Sequence, residues 1–327
     1  MSYRIHPLIW PALVPLSPLL AAMLVKKGKA FDAERPRAAL ENEKMMHQAN
    51  ELDLPELEYL KLTAVIDALT AEGFAGEPGV SYLVETDRGR VLFDVGLTGK
   101  TFAHNWRRLD LSWDGIDAVA ISHLHLDHMG GMTAMNKRQV MIPAELAPQE
   151  KIDCFVPDTC DSPFFTTRLV EKPQLLPAGL GTTGPLACML FFRGYMVEQS
   201  LVANVKGKGL VVIIGCGHPR LDAILPMAQK VCSAPLHAVV GGLHFPVTNS
   251  RSRRMGLDMQ RIFGTGKRWN DPINDDDLSR AIRLLQEAAP KRLLISPHDS
   301  CDHALKRFEK EVDAEFAAVE AGRTYEF

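Results

Sequence analysis

Apolar and polar side chains alternate over residues 59–66: Leu60, Leu62, Ala64 and Ile66 fall on one face, Tyr59, Lys61, Thr63 and Val65 on the other. A period of two predicts a strand with one face against a core. Residues 80–85 and 90–96, joined by Thr86-Asp87-Arg88-Gly89, predict a hairpin, and residues 201–204 and 210–214 predict a second one through Lys206-Gly207-Lys208-Gly209. The apolar runs 118–121, 236–240 and 291–295 predict further strands, and residues 139–142 a short one. Helical spacing is found in three places. Ala39, Leu40, Glu43, Met46 and Ala49 predict a connecting helix over 36–50 with Pro36 in its first turn and Met45 and Met46 as packing residues. Leu278, Ile282 and Leu285 predict one over 275–289, opened by acidic residues and stopped by Pro290. Residues 304–319 predict a closing helix, while residues 143–186, rich in Pro, Thr and Gly, read as connections.

The chain therefore divides into an N-terminal extension, residues 1–56, and one elaborated domain, residues 57–327, which carries an irregular flap insert at 247–273. Within the extension, residues 7–25 carry no charge and are followed by Lys26, Lys27 and Lys29. That run is just long enough to cross a hydrocarbon core, but Pro11, Pro15 and Pro18 oppose a regular helix in its first half and leave residues 19–25 as a helical end. No small-x-small cleavage site marks a signal peptide. Two readings stay open: an anchor at a membrane with the lysines on the cytoplasmic side, or an apolar strap lying on the domain or on a second copy of the chain.

Composition narrows the class. With 46% hydrophobic residues in 327, the chain can bury a large core. A net charge of −3, from 37 basic and 40 acidic residues, offers no basic field for nucleic acid and otherwise leaves the partner open. The six cysteines, at 154, 160, 188, 216, 232 and 301, form no C-x-x-C pair, which fits reduced thiols in the cytoplasm.

The chemistry concentrates at strand ends. The stretch ISHLHLDHMGG, residues 121–131, places His123, His125, Asp127 and His128 in one turn after the 118–121 strand. Imidazole and carboxylate together suit zinc or a similar metal, and one short loop cannot fill two tetrahedral shells, so further ligands must come from distant segments. His218, in Gly215-Cys216-Gly217-His218 after the second hairpin, is the leading candidate, since no histidine lies between it and His128. Cys216 is a second candidate, although a buried inert thiol is the commoner fate. His298, after Ser296-Pro297, ends a strand in the same way. His244, in Gly241-Gly242-Leu243-His244, is a candidate for substrate contact, proton transfer or metal support, with glycines that permit close approach. His237 and His303 read as structural. Arg251, Arg253, Arg254, Lys267 and Arg268 in the flap could clamp an anionic substrate or merely be solvated.

The H-x-H-x-D-H run resembles the signature of the metallo-β-lactamase superfamily, and the likeness extends from about Leu60 to Phe308. The resemblance implies a four-layer α/β/β/α sandwich with metals at one edge. It implies that His123 and His125 serve one metal and that Asp127 and His128 serve another; by the strand-end reading His218 would complete the first shell and His298 the second. It also implies that Asp94 orients a metal-binding histidine, a use alternative to accepting backbone N–H groups at a strand end. Two divalent cations follow, zinc ahead of manganese or iron(II). Such a pair activates a bridging hydroxide for hydrolysis of a small ester, lactone or phosphate-bearing molecule, with Asp127 steering the water's proton.

Within the superfamily, GCGH at 215–218, GGLH at 241–244 and the strand ending in His298 are most similar to the dihydropterin-ribofuranosylaminobenzene phosphate synthase-like branch. The chain departs from it at Asp67-Ala68 in place of Asp-Asn, Glu77-Pro78-Gly79 in place of Glu-His-Gly, and His298-Asp299-Ser300-Cys301 in place of His-Cys-Thr-Gly. A synthase-like transferase and a non-catalytic metal-binding sensor therefore stand beside the hydrolase as expectations.

Overall fold

The computed structural model describes residues 17–327 except 249, 250, 252, 255, 256 and 269. Each half of the fold is an antiparallel hairpin that feeds a run of parallel strands. In the first sheet, Ser81–Thr86 and Gly89–Phe93 form the hairpin, Leu60–Ile66 pairs antiparallel on its outer side, and Ala118–Ala120, Asp153–Val156 and Thr166–Leu169 continue in parallel. In the second, Leu201–Val205 and Gly209–Ile214 form the hairpin and Leu236–Gly241, Arg292–Ile295 and Glu315–Ala318 continue in parallel. Parallel strands share one direction, so their carboxyl ends line one rim, where open α/β sheets bind ligands.

The alternation read from the sequence decides what each face meets, up to a bulge after Ala64 that turns Ile66 to the helix side beside Val65. Leu60, Leu62, Ala64, Tyr82, Val84 and Phe93 point from the first sheet into a dry core shared with Val211, Ile213, Ala238, Val240 and Leu294 of the second. The opposite faces bury against helices. Val65, Leu83, Leu92 and Val119 pack with Phe102 and Trp106 of the helix Gly99–Arg108. Val212, Ile214, Val239 and Leu293 pack with the helices Leu221–Val231, Asp275–Ala288 and Asp302–Glu311. The result is the four-layer α/β/β/α sandwich.

Four local expectations are corrected. The connecting helix does not begin at Pro36: one helix runs Ser17–Gln48 with Pro36 inside it. Proline there removes one backbone hydrogen bond, and docking overrides that cost. Phe31 is buried against Met189 and Phe191, Lys27 donates to Phe192 O at 2.9 Å, and the Asn42 amide accepts from Ala187 N at 2.6 Å and donates to Ala187 O at 2.9 Å, pairing with the strand Leu186–Leu190 as a neighbouring strand would. Residues 139–142 form a single bridge, Gln139 to Asp161, instead of a strand. Residues 143–186 hold strands of two to four residues: Asp153–Val156 and Thr166–Leu169 extend the first sheet, Gln174–Leu175 and Gly181–Thr182 the second. The closing helix stops at Glu311, and Glu315–Ala318 becomes a strand because Arg292–Ile295 offers it a free edge.

Among the described residues no helix is long and apolar enough to cross a membrane. Of the apolar run 7–25, residues 7–16 lie outside the described residues, and Leu19, Met23 and Val25 are exposed.

Candidate metal centre

The strand ends bring the candidate ligand histidines to one rim. His123 follows Ala118–Ala120, His218 follows Gly209–Ile214, His244 follows Leu236–Gly241, and His298 follows Arg292–Ile295. Asp127 and His128 come from the single-turn helix Leu126–Met129, capped at its start by His125 and at its end by Gly130 in the left-handed conformation. Two donor sets result, with the ligand atoms of each within 4.8 Å of one another: Asp127, His128, Cys216 and His298 in one, and His123, Cys216 and His218 in the other. Cys216 belongs to both. Its Sγ is 3.0 Å from His128 Nε2 and 3.2 Å from His298 Nε2. A third set joins Cys216 to His244 and Asp299.

His125 stands apart from these tight sets. Its ring centroid is 4.5 Å from that of His123 and 4.9 Å from that of His218, and it is partly buried at the rim, as is Asp127.

Buried carboxylates fix the donors from behind. Asp94, held at a φ of 63°, accepts from Ser122 N and Ser122 Oγ, each at 2.7 Å, and lies 2.6 Å from His128 Nδ1. This left-handed backbone is costly for a non-glycine residue, and it lets one carboxylate serve both the strand end and the metal turn. Glu198 gathers the second loop: its Oε1 accepts from Cys216 N at 2.9 Å and Gly217 N at 2.7 Å, and its Oε2 from His218 N at 2.9 Å. Asp299 accepts from His244 N at 3.1 Å and Ser300 Oγ at 3.0 Å. Sequence reasoning passed over Glu198, Asp299, Ser122 and Ser296. The one available signal for Glu198 was a polar trio, Glu198-Gln199-Ser200, set between apolar runs.

The electrostatics suit a cation. Burial, then neighbouring imidazoles, hold His123, His218 and His298 well below the usual histidine range, so each presents a neutral ring. Burial pushes the Cys216 thiol up, as do Asp127 and Asp299. Burial also opposes charge on His128, but Asp94 and Asp127 outweigh it and raise this histidine to about 9. Burial takes His244 down to about 4.

Among the described residues, four buried ring nitrogens have no hydrogen-bond partner: His123 Nε2, both nitrogens of His218, and His244 Nδ1. Unpaired polar atoms cost roughly 1–3 kcal/mol each when buried, and coordination would satisfy those that face a cation. Neutral imidazoles, a thiol and a carboxylate within bonding reach of common points fit divalent metal.

The anion clamp expected in the flap fits less well. Lys267 pairs with the buried Asp277 at 3.2 Å, Arg268 with Asp32, and Arg251 with Asp302 and the carbonyls of Pro297 and Ser300. The side chains of Arg253 and Arg254 lie outside the described residues. His237 is half-buried near Phe327, and His303 is exposed and pairs with Asp275, so neither joins the centre.

Residues 75–144, which hold the whole metal turn, match the family model described as the metallo-beta-lactamase superfamily. The stretch that holds the metal turn thus carries that superfamily's pattern, and the chain has the metallo-β-lactamase fold. It is similar to the 7,8-dihydropterin-6-methyl-4-(beta-D-ribofuranosyl)-aminobenzene-5'-phosphate synthase of Methanocaldococcus jannaschii, at 22% identity over 79% of this chain and 95% of that relative. Among solved structures it resembles a metal-dependent hydrolase of the beta-lactamase superfamily, with a TM-score of 0.56 and 21% identity over 81% of this chain and 98% of the other. It also resembles the metallo-beta-lactamase fold protein YhfI from Bacillus subtilis, with a TM-score of 0.51 and 13% identity over 83% and 100%.

Proposed function

We propose that this chain is a metal-dependent hydrolase of a small ester, lactone or phosphate-bearing molecule, working with two divalent cations, zinc first among the candidates. The observation that carries the reading is the pair of donor sets that meet at Cys216. His123, His125 and His218 would hold one cation, and Asp127, His128 and His298 the other, with Cys216 in reach of both. When bound, such cations polarise a substrate oxygen and lower the pKa of water.

The chain's own groups do the rest. Asp127, largely buried at the rim beside His128, would accept a proton from an attacking water. His244 Nε2 lies 3.3 Å from Gln260 O. A carbonyl only accepts, so Nε2 carries the proton and Nδ1 is left bare. With its pKa near 4, His244 is a weak base at neutral pH, suited to accepting a hydrogen bond from a substrate O–H or N–H. The test combines elemental analysis of the purified protein with a panel of esters, lactones and phosphodiesters. About two equivalents of transition metal and a turnover abolished by His123→Ala are expected; metal-free protein would sink the reading.

A transferase reading is favoured by one observation, the likeness to the Methanocaldococcus synthase along nearly its whole length. Coupling of a labelled pterin to an aminobenzene phosphate would establish it, and hydrolysis without coupling would exclude it. Metal binding with neither activity would leave a sensor.

A further inference from the structure

Asp67 and Ser296 form a hydrogen-bonded device behind His298 that mirrors the one behind His123. Asp67 follows the strand Leu60–Ile66 of the first sheet, whereas Ser296 and His298 follow Arg292–Ile295 of the second. All three are fully buried or nearly so. Asp67 Oδ2 accepts from Ser296 Oγ at 2.7 Å and from Tyr82 Oη at 2.9 Å, while Oδ1 accepts from Ala68 N at 2.7 Å. Ser296 Oγ in turn lies 2.6 Å from His298 Nδ1.

A serine hydroxyl has one proton to give. Here it goes to the carboxylate, so toward the imidazole Ser296 can only accept. We infer that Asp67 and Ser296 are positioning residues that hold His298 in the Nδ1-protonated tautomer, leaving Nε2 bare toward Cys216, His128 and Asp127. In the first half Ser122 does the same: its Oγ donates to Asp94 at 2.7 Å and faces His123 Nδ1 at 2.9 Å, and His123 Nε2 is left without a partner. Both halves thus solve one problem identically, with an aspartate at a first-sheet strand end acting through a serine on a ring nitrogen. Asp67 differs in reaching across to the other sheet. Its consequence for metal rests on the function proposed above; the tautomer itself does not.

The test is made on the full chain, first metal-free and then titrated with zinc, at mildly alkaline pH. Two-bond ¹H–¹⁵N spectra read the His298 tautomer directly. The Nδ1-protonated form is expected in the native chain, a shift toward the Nε2-protonated form in Ser296→Ala, and recovery in Ser296→Thr, which keeps the hydroxyl. Tyr82→Phe, which removes a different donor from Asp67, should leave the tautomer alone. In zinc titrations Ser296→Ala should weaken one equivalent by roughly 10- to 100-fold, the usual effect of losing such a partner, and spare the other. An Nε2-protonated His298 in the native chain, or a tautomer unchanged by Ser296→Ala, would overturn the inference. Should the native chain bind no zinc, the proposed function falls, and the spectra still decide the positioning role.

Discussion

A side chain at Gly242 would need space that is already taken. A Cβ there would lie 2.3 Å from Asp299 Oδ2, 2.4 Å from Gly215 O and 2.8 Å from His298 Cε1. Glycine is what lets the second sheet's loop pass directly behind a candidate ligand, which the GGLH pattern foretold as close approach without saying of what. Gly242→Ala is expected to push His298 and Asp299 aside, costing about 1–3 kcal/mol of stability and at least tenfold in zinc affinity, read by competition titration beside thermal melts. Native affinity in a folded variant would contradict this placement. Asp67 supplies a second test at this scale. Burial raises it to about 7 despite three donated hydrogen bonds. A carboxyl raised in the fold favours the folded state most below its unfolded pKa near 3.9, and that stabilisation is lost as pH rises through the folded value. The metal-free chain should therefore lose up to about 4 kcal/mol from this group between pH 4 and pH 7. Urea midpoints across that range should fall in the native chain and fall less in Asp67→Asn.

Elements long enough to show a period were legible; those held by tertiary contacts were not. The strands that end at His123, His218, His244 and His298 announced themselves as apolar runs, and so the rim could be assembled before any coordinates. Gln174–Leu175 and Gly181–Thr182 have two residues each, too few for any pattern, and exist because a neighbouring strand offers hydrogen bonds. Glu198 was hidden for a related reason: it caps N–H groups 18 to 20 positions downstream, a relation that no local window contains. The N-terminal helix shows the opposite failure, where a local rule was applied and then overridden. Pro36 reads as a first turn, yet Phe31 and Asn42 on either side dock the whole helix. Lys27 to Phe192 O, Asp32 to Arg268, Glu41 to Tyr195 and the packing of Met45 and Met46 add to them, so Phe31→Ala and Asn42→Ala together should loosen the helix without unfolding the sandwich. Limited proteolysis should then cut within residues 17–48 many times faster while the main melting transition stays in place. A matching fall in that transition would mean that the helix belongs to the cooperative core.

The two sheets share a complete apolar core away from the rim, so the fold does not depend on metal in the way a small zinc domain does. The donors, however, divide between the halves: His123, Asp127 and His128 come from the first, Cys216, His218 and His298 from the second. A bound cation would add a cross-link between the two layers at the rim, where Gln199 N already donates to Ser122 O at 2.9 Å. Ligands that bind only the folded state add RT ln(1 + [L]/Kd), about 4 kcal/mol at a thousandfold excess over Kd. Chelation should therefore lower the melting temperature by several degrees and leave a cooperative transition behind. Single substitutions then separate the two sets. His218→Ala should weaken one zinc equivalent and His298→Ala the other, because each side chain belongs to one tight set. Cys216 belongs to both, so Cys216→Ala should weaken both equivalents. Calorimetric titration of the three variants distinguishes the patterns: if Cys216→Ala reproduces the loss seen in only one histidine variant, the thiol serves a single cation.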